Sequence, residues 1–531
     1  MLYNSKFLFI IAIFFILLFN YIFLIINNGM YWDDWVLVFE NIEHIVKVFQ
    51  QTGGNGFVGY LHYFMIHILG IWSYKLFTFV LIIISGICLY KILQNIEKLT
   101  DIDRISISIF FMIYPLFHTK AFLINFPYTL MSTLFFLAFY FMTKYINNKK
   151  HYINYILALI FLYFSFFVQS ILVFCFIIFM YIVYIEKIQG SKTIIYILKK
   201  NILFLSAPFI FFIIKSLYFK PYGLYSGYNQ ININYIIHKL MLTFNVSYIK
   251  FWKYENFYFI IAIIFLISIV YFIKNKTINF TLFLKNTNKY ITLLILGISI
   301  FLLATFPYIA VNKIPQLLSM NDRLQVLFPL PFALITYSLI SIISIYQKKI
   351  IIFSVVIVII IFTYFNNRQY LYLLQDSIYQ DAFMLNVKEN NKIYSNSIFI
   401  MRDNSTKLNI HSRRKGAYEY AGQLRKVFGD DKRFIIEKDF FLENNKSLDY
   451  VKHIFENKEY AHYNYSNVKF GEPTHFIDLQ VIKELTLIEI LSLSILRYNN
   501  ENLYNESVHK LIKLNVERIK NNDTINCNNT I

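Results

Sequence analysis

The chain consists largely of long apolar runs separated by short polar segments. A helix needs about 20 apolar residues to cross the hydrocarbon core of a bilayer. Runs of roughly this kind recur through the first 365 residues and predict about eleven spans. They lie at about 7–26, 74–93, 105–118, 121–143, 153–168, 170–186, 201–219, 257–273, 290–311, 325–346 and 350–365. The pattern predicts an α-helical polytopic membrane domain over residues 1–365, with outer loops at 27–73 and 220–256.

The residues after 365 change in character. Apolar runs typical of strands occur at 397–401, 434–437 and 475–482, and runs typical of helices at 417–428, 448–456 and 503–520. This alternation predicts an α/β domain over residues 366–520. The Asn-rich residues 521–531 are predicted to be a disordered tail.

Positive charge indicates which way the spans are oriented. The net charge is +19, and +17 of it falls within the first 365 residues. Basic residues cluster after alternate spans, for example at Lys149-Lys150, Lys199-Lys200 and Lys348-Lys349. Because cytoplasmic loops are enriched in Lys and Arg, the N-terminus is predicted to be cytoplasmic and the C-terminal domain extracytoplasmic, in a bacterial inner (plasma) membrane. The charge therefore maps one membrane face and does not indicate a nucleic acid partner.

Composition agrees with this class. Hydrophobic residues make up 57% of the chain and charged residues only 15%, against about 25% in soluble domains. The three cysteines form no metal-binding or disulfide pattern, and no phosphate-binding glycine motif is present. A nucleotide-dependent enzyme is therefore not indicated.

The clearest chemical signal is a pair of adjacent acids, Asp33 and Asp34, directly after the first span. The first 365 residues hold only ten acids, and these two are flanked by Trp32 and Trp35. Adjacent like charges raise one another's pKa values. A carboxylate here that stays ionised could act as a general base on a hydroxyl group.

A structural interpretation is also open. Apolar positions through residues 36–50 predict an interfacial amphipathic helix. Asp is a favoured N-cap and suits the helix dipole, so Asp34 could serve only as the cap of this helix.

The first helix, the following acidic pair, the long outer loops, the basic inner loops and the outer C-terminal domain together resemble the GT-C class of polytopic glycosyltransferases. The architecture is similar to that of dolichyl-phosphate-mannose and aminoarabinose transferases. The resemblance implies transfer of a sugar from a polyprenyl-phosphate carrier to an envelope glycan, lipid or protein on the extracytoplasmic face. It also implies that Asp33 or Asp34 is the catalytic base. A second acid of the kind some members use is not obvious in the turn near residue 118, and a role for a divalent cation stays open.

Cations near two predicted outer turns suit a phosphate-bearing donor. Arg323 offers bidentate geometry to a phosphate, and a late outer-loop cation has this role in the class that the chain resembles. Lys120 is a second candidate, next to His118. The alternatives are that Arg323 pairs with Asp322 or binds lipid headgroups, and that His118 is a structural hydrogen-bonding residue.

Further candidates for substrate binding are Trp32, Trp35, His62, His118 and Glu255. Each could equally be an ordinary residue of the membrane interface, where aromatic residues concentrate. A polysaccharide polymerase, flippase or transporter of envelope glycans is an alternative function. A scaffold that displays the C-terminal domain is another, although it leaves the acidic pair unexplained.

Overall fold

The architecture was determined from a computed structural model. The structure describes residues 2–53, 56–148, 151–188, 194–227, 229–232, 234–254, 257, 263, 280–343, 348–396, 398–409, 412–430, 432–438 and 473–519. Most of these residues are helical. Their α-helices are Leu2–Ile25, Asp34–Phe39, Ile42–Gln51, Gly56–Phe64, Ile71–Gln94, Asp101–Met112, Phe126–Asn147, Tyr152–Ser165, Cys175–Ile188, Ile194–Lys200, Ile202–Tyr218, Ile236–Phe244, Lys250–Lys253, Phe280–Ile309, Pro329–Ile343, Lys348–Lys388, Asn391–Ser395, Ala417–Phe428, Leu487–Asn499 and Glu501–His509.

Five helical segments in the described residues are long and apolar enough to cross a membrane, and a bent pair makes a possible sixth. The bent pair, Ile194–Lys200 and Ile202–Tyr218, meets at an angle of 68°. The five segments are Ile71–Gln94, Leu123–Asn147, Gln169–Glu186, Thr287–Ile309 and Lys349–Lys388. The helical, membrane-embedded class predicted from the sequence agrees with these segments.

The number of eleven spans is not shown. Several predicted spans correspond to shorter helices, such as Asp101–Met112, Tyr152–Ser165 and Pro329–Ile343. Chain geometry explains the first of these, because Ile113 ends the helix two residues before Pro115, whose ring cannot continue it. The predicted span at 257–273 lies almost wholly outside the described residues.

The helix bundle has two distinct ends. At 1.5 Å per residue, the 24-residue helix Ile71–Gln94 is about 36 Å long and separates them. Segments at 27–70, 113–125 and 310–328 meet at one end, which we call the acid end because Asp33 and Asp34 lie there. At the opposite end, Asn147 donates to Asn95, and Lys289 lies 2.5 Å from the Asp103 carboxylate.

The C-terminal part contains one four-stranded sheet. Its strands are β1 (Ile398–Asp403), β2 (Phe434–Glu437), β3 (His475–Val481) and β4 (Ile512–Arg518), in the order β2-β1-β3-β4. β1 pairs in parallel with β2 and β3, whereas β4 pairs antiparallel with β3. The helix Ala417–Phe428 joins β1 to β2, as a parallel crossover requires. The predicted α/β character of this part is confirmed.

One predicted element of this part is wrong in its second half. The sequence predicts a helix over residues 503–520, but the helix Glu501–His509 ends within this range and β4 follows. Residues 512–518 alternate apolar and polar side chains, and the strand pairs along all of β3, which satisfies the backbone groups on that edge. Tertiary pairing therefore overrides a local pattern that is ambiguous between helix and strand. The predicted helix at 448–456 and the predicted disordered tail at 521–531 lie outside the described residues.

The C-terminal part and the acid end share a hydrophobic core. Met30, Trp35 and Leu37 pack in one cluster with residues of the sheet and its helices, such as Tyr420 and Leu424. The 41-residue helix Lys348–Lys388 connects the two, since it runs without a break through residue 365, where the sequence suggests a boundary. The loops and the C-terminal part thus stabilise one another.

The two ends of the bundle should lie on opposite sides of the membrane, and reporter fusions can test this orientation. We expect a periplasmic-type reporter (alkaline phosphatase) fused after Ile531 to be active, because the C-terminal part packs on the acid end, which the charge pattern assigns to the outside. The same reporter fused after Asn148, at the opposite end, should be inactive, and a fluorescent cytoplasmic reporter should give the reverse result. An inactive phosphatase after Ile531 would contradict the orientation.

Candidate active site at the acid end

A short turn carries both acids away from the first helix. Tyr31 is fully buried, and its hydroxyl donates to the carbonyl of Leu373, 2.6 Å away. Gly29 allows this close approach, because a Cβ at that position would overlap the Tyr31 hydroxyl. Trp32 follows in the left-handed region, at φ 54°, and the helix Asp34–Phe39 begins two residues later. The turn is therefore held from both sides by tertiary contacts.

Asp34 is used structurally. Its side chain is fully buried, one carboxylate oxygen accepts from the backbone N–H of Tyr31 (3.0 Å) and the other accepts from that of Ile124 (2.9 Å). Burial raises the pKa of Asp34 to about 6, although the charge of Lys75 and these hydrogen bonds oppose the rise. Both oxygens accept hydrogen bonds, so Asp34 joins the acid-bearing turn to the segment before the helix Phe126–Asn147.

The interpretation of Asp34 as the cap of one long interfacial helix is wrong. Two helices occupy this segment, Asp34–Phe39 and Ile42–Gln51, and Asp34 is the first residue of the shorter one. The second helix is capped by Asn41, whose side chain accepts from the backbone N–H of His44 (2.8 Å). The residue at the cap position of the first helix is Asp33, and it makes no capping hydrogen bond.

Asp33 differs from its neighbour in having a free carboxylate. It is half-buried and makes no side-chain hydrogen bond to any residue that the structure describes. Burial raises the pKa of Asp33 to about 7; Arg323 and Arg413 lower it, whereas Asp34 and Glu419 raise it further. A carboxyl group with this pKa exchanges its proton near neutral pH, as a general base requires.

Arg323 lies beside the same turn. Its guanidinium carbon is 4.4 Å from the centre of the Trp32 ring. Its charge is the largest effect opposing the raised pKa of Asp33, yet within the described part of the chain no ion pair of 4.0 Å or less joins the two. Arg323 and Asp33 are therefore close, with their charges not directly neutralised by each other.

The alternative pairing of Arg323 with Asp322 is not observed. The Asp322 carboxylate is fully buried and accepts from the backbone N–H groups of His118 (3.0 Å) and Thr119 (3.2 Å), as well as from the Thr119 hydroxyl. Like Asp34, Asp322 joins two loops of the acid end. This role holds the segment that carries Arg323 in place.

The C-terminal part completes the site through Glu419 and Arg413. Glu419 is fully buried and accepts from the backbone N–H of Trp32 (3.2 Å), while the two terminal guanidinium nitrogens of Arg413 donate to its carboxylate. The helix that carries Glu419 is predicted from the sequence. Nothing in that local pattern indicates a contact with residue 32, which lies 387 positions earlier.

Lys120 and His118 lie deeper than the sequence suggests. The Lys120 ammonium is 3.2 Å from the Tyr21 hydroxyl and rests over the rings of Tyr21 and Phe117, inside the bundle. Burial lowers the pKa of Lys120 to about 7. The His118 ring is fully buried against Phe365 and Tyr370. The structure thus brings Asp33, Trp32 and Arg323 together and places Lys120 among aromatic residues of the bundle.

The remaining candidates are packed in cores. Trp35 is almost fully buried and stacks on Phe39, with ring centres 6.1 Å apart. His62 is fully buried, its Nδ1 lies 2.9 Å from the Tyr74 hydroxyl, and burial lowers its pKa to about 3, so it is neutral at ordinary pH. Glu255 lies outside the described residues.

No group of three or more His, Cys, Asp or Glu side chains suited to hold a metal ion occurs in the described ranges. The acids of the site use other partners, because backbone amides bind Asp34 and Arg413 binds Glu419. We therefore assign no residue to a divalent cation.

Comparisons with protein-family models, with curated proteins and with solved structures found no match to this chain.

Different stability effects are expected for the two acids. Asp34→Asn replaces one acceptor oxygen by an NH₂ group facing a backbone N–H, and an unsatisfied buried group costs about 1–3 kcal/mol. Asp34→Asn should therefore lower the melting temperature. Asp33→Asn breaks no hydrogen bond and should not.

The pH dependence of stability gives a second test of Asp33. Because the folded pKa of Asp33 is raised, to about 7 from an ordinary 3.8, its stabilising contribution is present below pH 3.8 and lost as the pH rises through 7. The parent should accordingly lose stability relative to Asp33→Asn between about pH 4 and 7. Melting curves of the purified proteins in detergent measure this, and a pH-independent difference would contradict the burial of Asp33.

Proposed function

We propose that this chain is an integral membrane glycosyltransferase that moves a sugar from a polyprenyl-phosphate carrier to an acceptor hydroxyl on the extracytoplasmic face of the membrane. The observation that carries the proposal is the free Asp33 carboxylate beside Arg323, at the loop-bearing end of a bundle of apolar helices. A base and a phosphate-binding cation within one site are what this transfer requires. The finer resemblance to the GT-C class, with about eleven spans, is part of the proposal.

Asp33 acts as the general base in this mechanism. Its ionised carboxylate accepts the proton of the acceptor hydroxyl while the oxygen attacks the anomeric carbon of the donor sugar. The bond between that carbon and the phosphate oxygen breaks, and the polyprenyl phosphate leaves with the electron pair. Its raised pKa leaves Asp33 ionised above about pH 7 and makes it basic enough to take the proton.

Arg323 stabilises the leaving phosphate. A guanidinium group offers two parallel N–H donors to phosphate oxygens, and negative charge on the phosphate grows as the glycosidic bond breaks. Contact with the Trp32 ring restricts the orientation of the guanidinium plane and leaves its positive charge without an anionic partner among the described residues. The group is therefore available to a lipid-linked donor.

A cleft at the same end offers a place for a glycan acceptor. It has a volume of about 520 Å³, and most of its lining residues carry a side-chain amide, namely Asn229, Gln230, Asn232, Asn234 and Asn312. Amides donate and accept hydrogen bonds at once, which matches the hydroxyl groups of sugars. The segment that holds Asn312 continues to Arg323, so acceptor and donor would approach one connected surface.

The central prediction concerns Asp33 and pH. In proteoliposomes supplied with polyprenyl-phosphate-linked radiolabelled hexoses and pentoses and with membrane glycan acceptors, the parent should transfer label at a rate that rises as pH passes about 7. Asp33→Asn should lose at least about 10²-fold in rate, the contribution of a positioned base. Glu40→Gln, a buried acid of the same loop, serves as the control. Full transfer by Asp33→Asn would exclude the proposed mechanism.

Arg323 gives a separate prediction about the donor. Arg323→Ala should raise the donor concentration needed for half-maximal rate by about 10-fold or more, since a charge-assisted hydrogen bond contributes about 1.5–3 kcal/mol. Arg402→Ala is the matched control, because Arg402 also lies over an aromatic ring, that of Phe476 (4.0 Å), but is bound to Asp478 in the C-terminal sheet. An unchanged donor dependence in Arg323→Ala would remove this residue from the donor site.

A further inference from the structure

We propose that Glu419, in the C-terminal part, is a positioning residue that sets the direction of the catalytic carboxylate through the backbone of Trp32. The inference rests on the proposed function, because it assigns Asp33 as the base. It gives the C-terminal part a role in catalysis beyond packing on the loops.

Trp32 is the residue on which Glu419 acts. Its backbone lies in the left-handed region (φ 54°), which a bulky side chain rarely adopts and which costs about 1–3 kcal/mol. Such a conformation persists only where the surroundings hold it. Here the Trp32 N–H donates to Glu419 and the ring is covered by Arg323.

Asp33 depends on this backbone for its orientation. Its own carboxylate has no hydrogen-bond partner in the described part of the chain, so no side-chain hydrogen bond fixes the orientation of the carboxylate. Its peptide neighbours are Trp32, held by Glu419, and Asp34, held to Ile124. If Trp32 relaxed to an ordinary conformation, the Cα–Cβ bond of Asp33 would change direction.

Glu419 is itself rigidly held. It lies in the first turn of the helix Ala417–Phe428, its carboxylate accepts from the backbone N–H of Gly416 (2.8 Å), and Arg413 binds both oxygens. Because it is buried and bonded through both oxygens, the carboxylate presents a fixed acceptor to Trp32.

The charges around Asp33 make the inference measurable. Arg323 and Arg413 favour its ionised form, whereas Asp34 and Glu419 oppose it, and Lys75 faces Asp34 from the bundle. Glu419→Gln removes one of the opposing anions and leaves Arg413 uncompensated. Both changes lower the pKa of Asp33, so the substitution should move its titration to lower pH.

A second contact of the same helix provides a matched control that tests whether Glu419 only docks the C-terminal part. Arg425, near the end of the helix Ala417–Phe428, forms a buried ion pair with Glu40 (2.8 Å), and this pair also joins the C-terminal part to the loop. Glu40→Gln weakens that docking without touching Trp32. Comparing Glu419→Gln with Glu40→Gln therefore separates positioning from docking.

The experiment uses the full chain and two readouts. The first is the pH profile of the transfer rate, for the parent, Glu419→Gln and Glu40→Gln. The second needs no substrate: tryptophan emission is titrated with pH, and subtraction of the matching Trp32→Phe protein isolates the signal of Trp32 beside Asp33. We expect a parent midpoint near pH 7, a midpoint lower by about one unit in Glu419→Gln, and no shift in Glu40→Gln.

The maximal rate should fall by about 10²-fold in Glu419→Gln, the cost of a reacting group misplaced by about 1 Å. Glu419→Asp covers the case in which Glu419→Gln does not fold. It keeps the charge that Arg413 needs but is one methylene shorter, so it should lower the rate without moving the midpoint.

Equal behaviour of Glu419→Gln and Glu40→Gln in both readouts would overturn the inference, as would parent-like rate in Glu419→Asp. Suppose that the parent shows the Trp32 titration and that Glu419→Gln shifts its midpoint, but that the parent transfers no sugar. This result would refute the proposed function, whereas the control of Asp33 by Glu419 would still stand. The two failures are therefore distinguishable.

Discussion

The organisation of the acid end depends on the buried carboxylate of Asp34. By accepting two backbone N–H groups, from Tyr31 and Ile124, it joins the turn after the first helix to the segment before the helix Phe126–Asn147. A buried carboxylate is costly unless it is hydrogen-bonded, and Lys75 supplies a compensating charge. Asp322 repeats the arrangement with His118 and Thr119. Two buried acids thus hold together loops that are distant in sequence.

This construction explains how neighbouring acids come to have different tasks. Once Asp34 is committed to the backbone, Asp33 is left at the start of a short helix with a carboxylate that no described group binds. Partial burial then raises its pKa to about 7. The same turn binds the carboxylate of Asp34 and leaves that of Asp33 without a described hydrogen-bond partner, and Arg323 and Glu419 reach Trp32 from two other parts of the chain.

Much of the fold was readable from local patterns. Apolar runs identified the helix-forming regions, and the predicted strand at 434–437 and helix at 417–428 coincide with those observed. Local patterns failed for β4, because pairing with another strand determines its conformation. They also failed for Lys120, whose charge suggested an outer surface but whose ammonium contacts the Tyr21 hydroxyl inside the bundle. The number of spans likewise depends on helix breaks such as that at Ile113, which hydropathy alone describes poorly.

The sequence by itself determined that this is a helical membrane protein, because hydropathy and the placement of charges can be read directly along the chain. The scarcity of acids, also visible in the sequence, drew attention to Asp33 and Asp34, and the predicted late outer turn drew attention to Arg323. Only the tertiary structure decided which acid is free and which residue from the C-terminal part reaches Trp32. Hydrogen bonding and burial depend on groups far apart in the chain, such as Trp32 and Glu419. A local pattern carries no information about such partners.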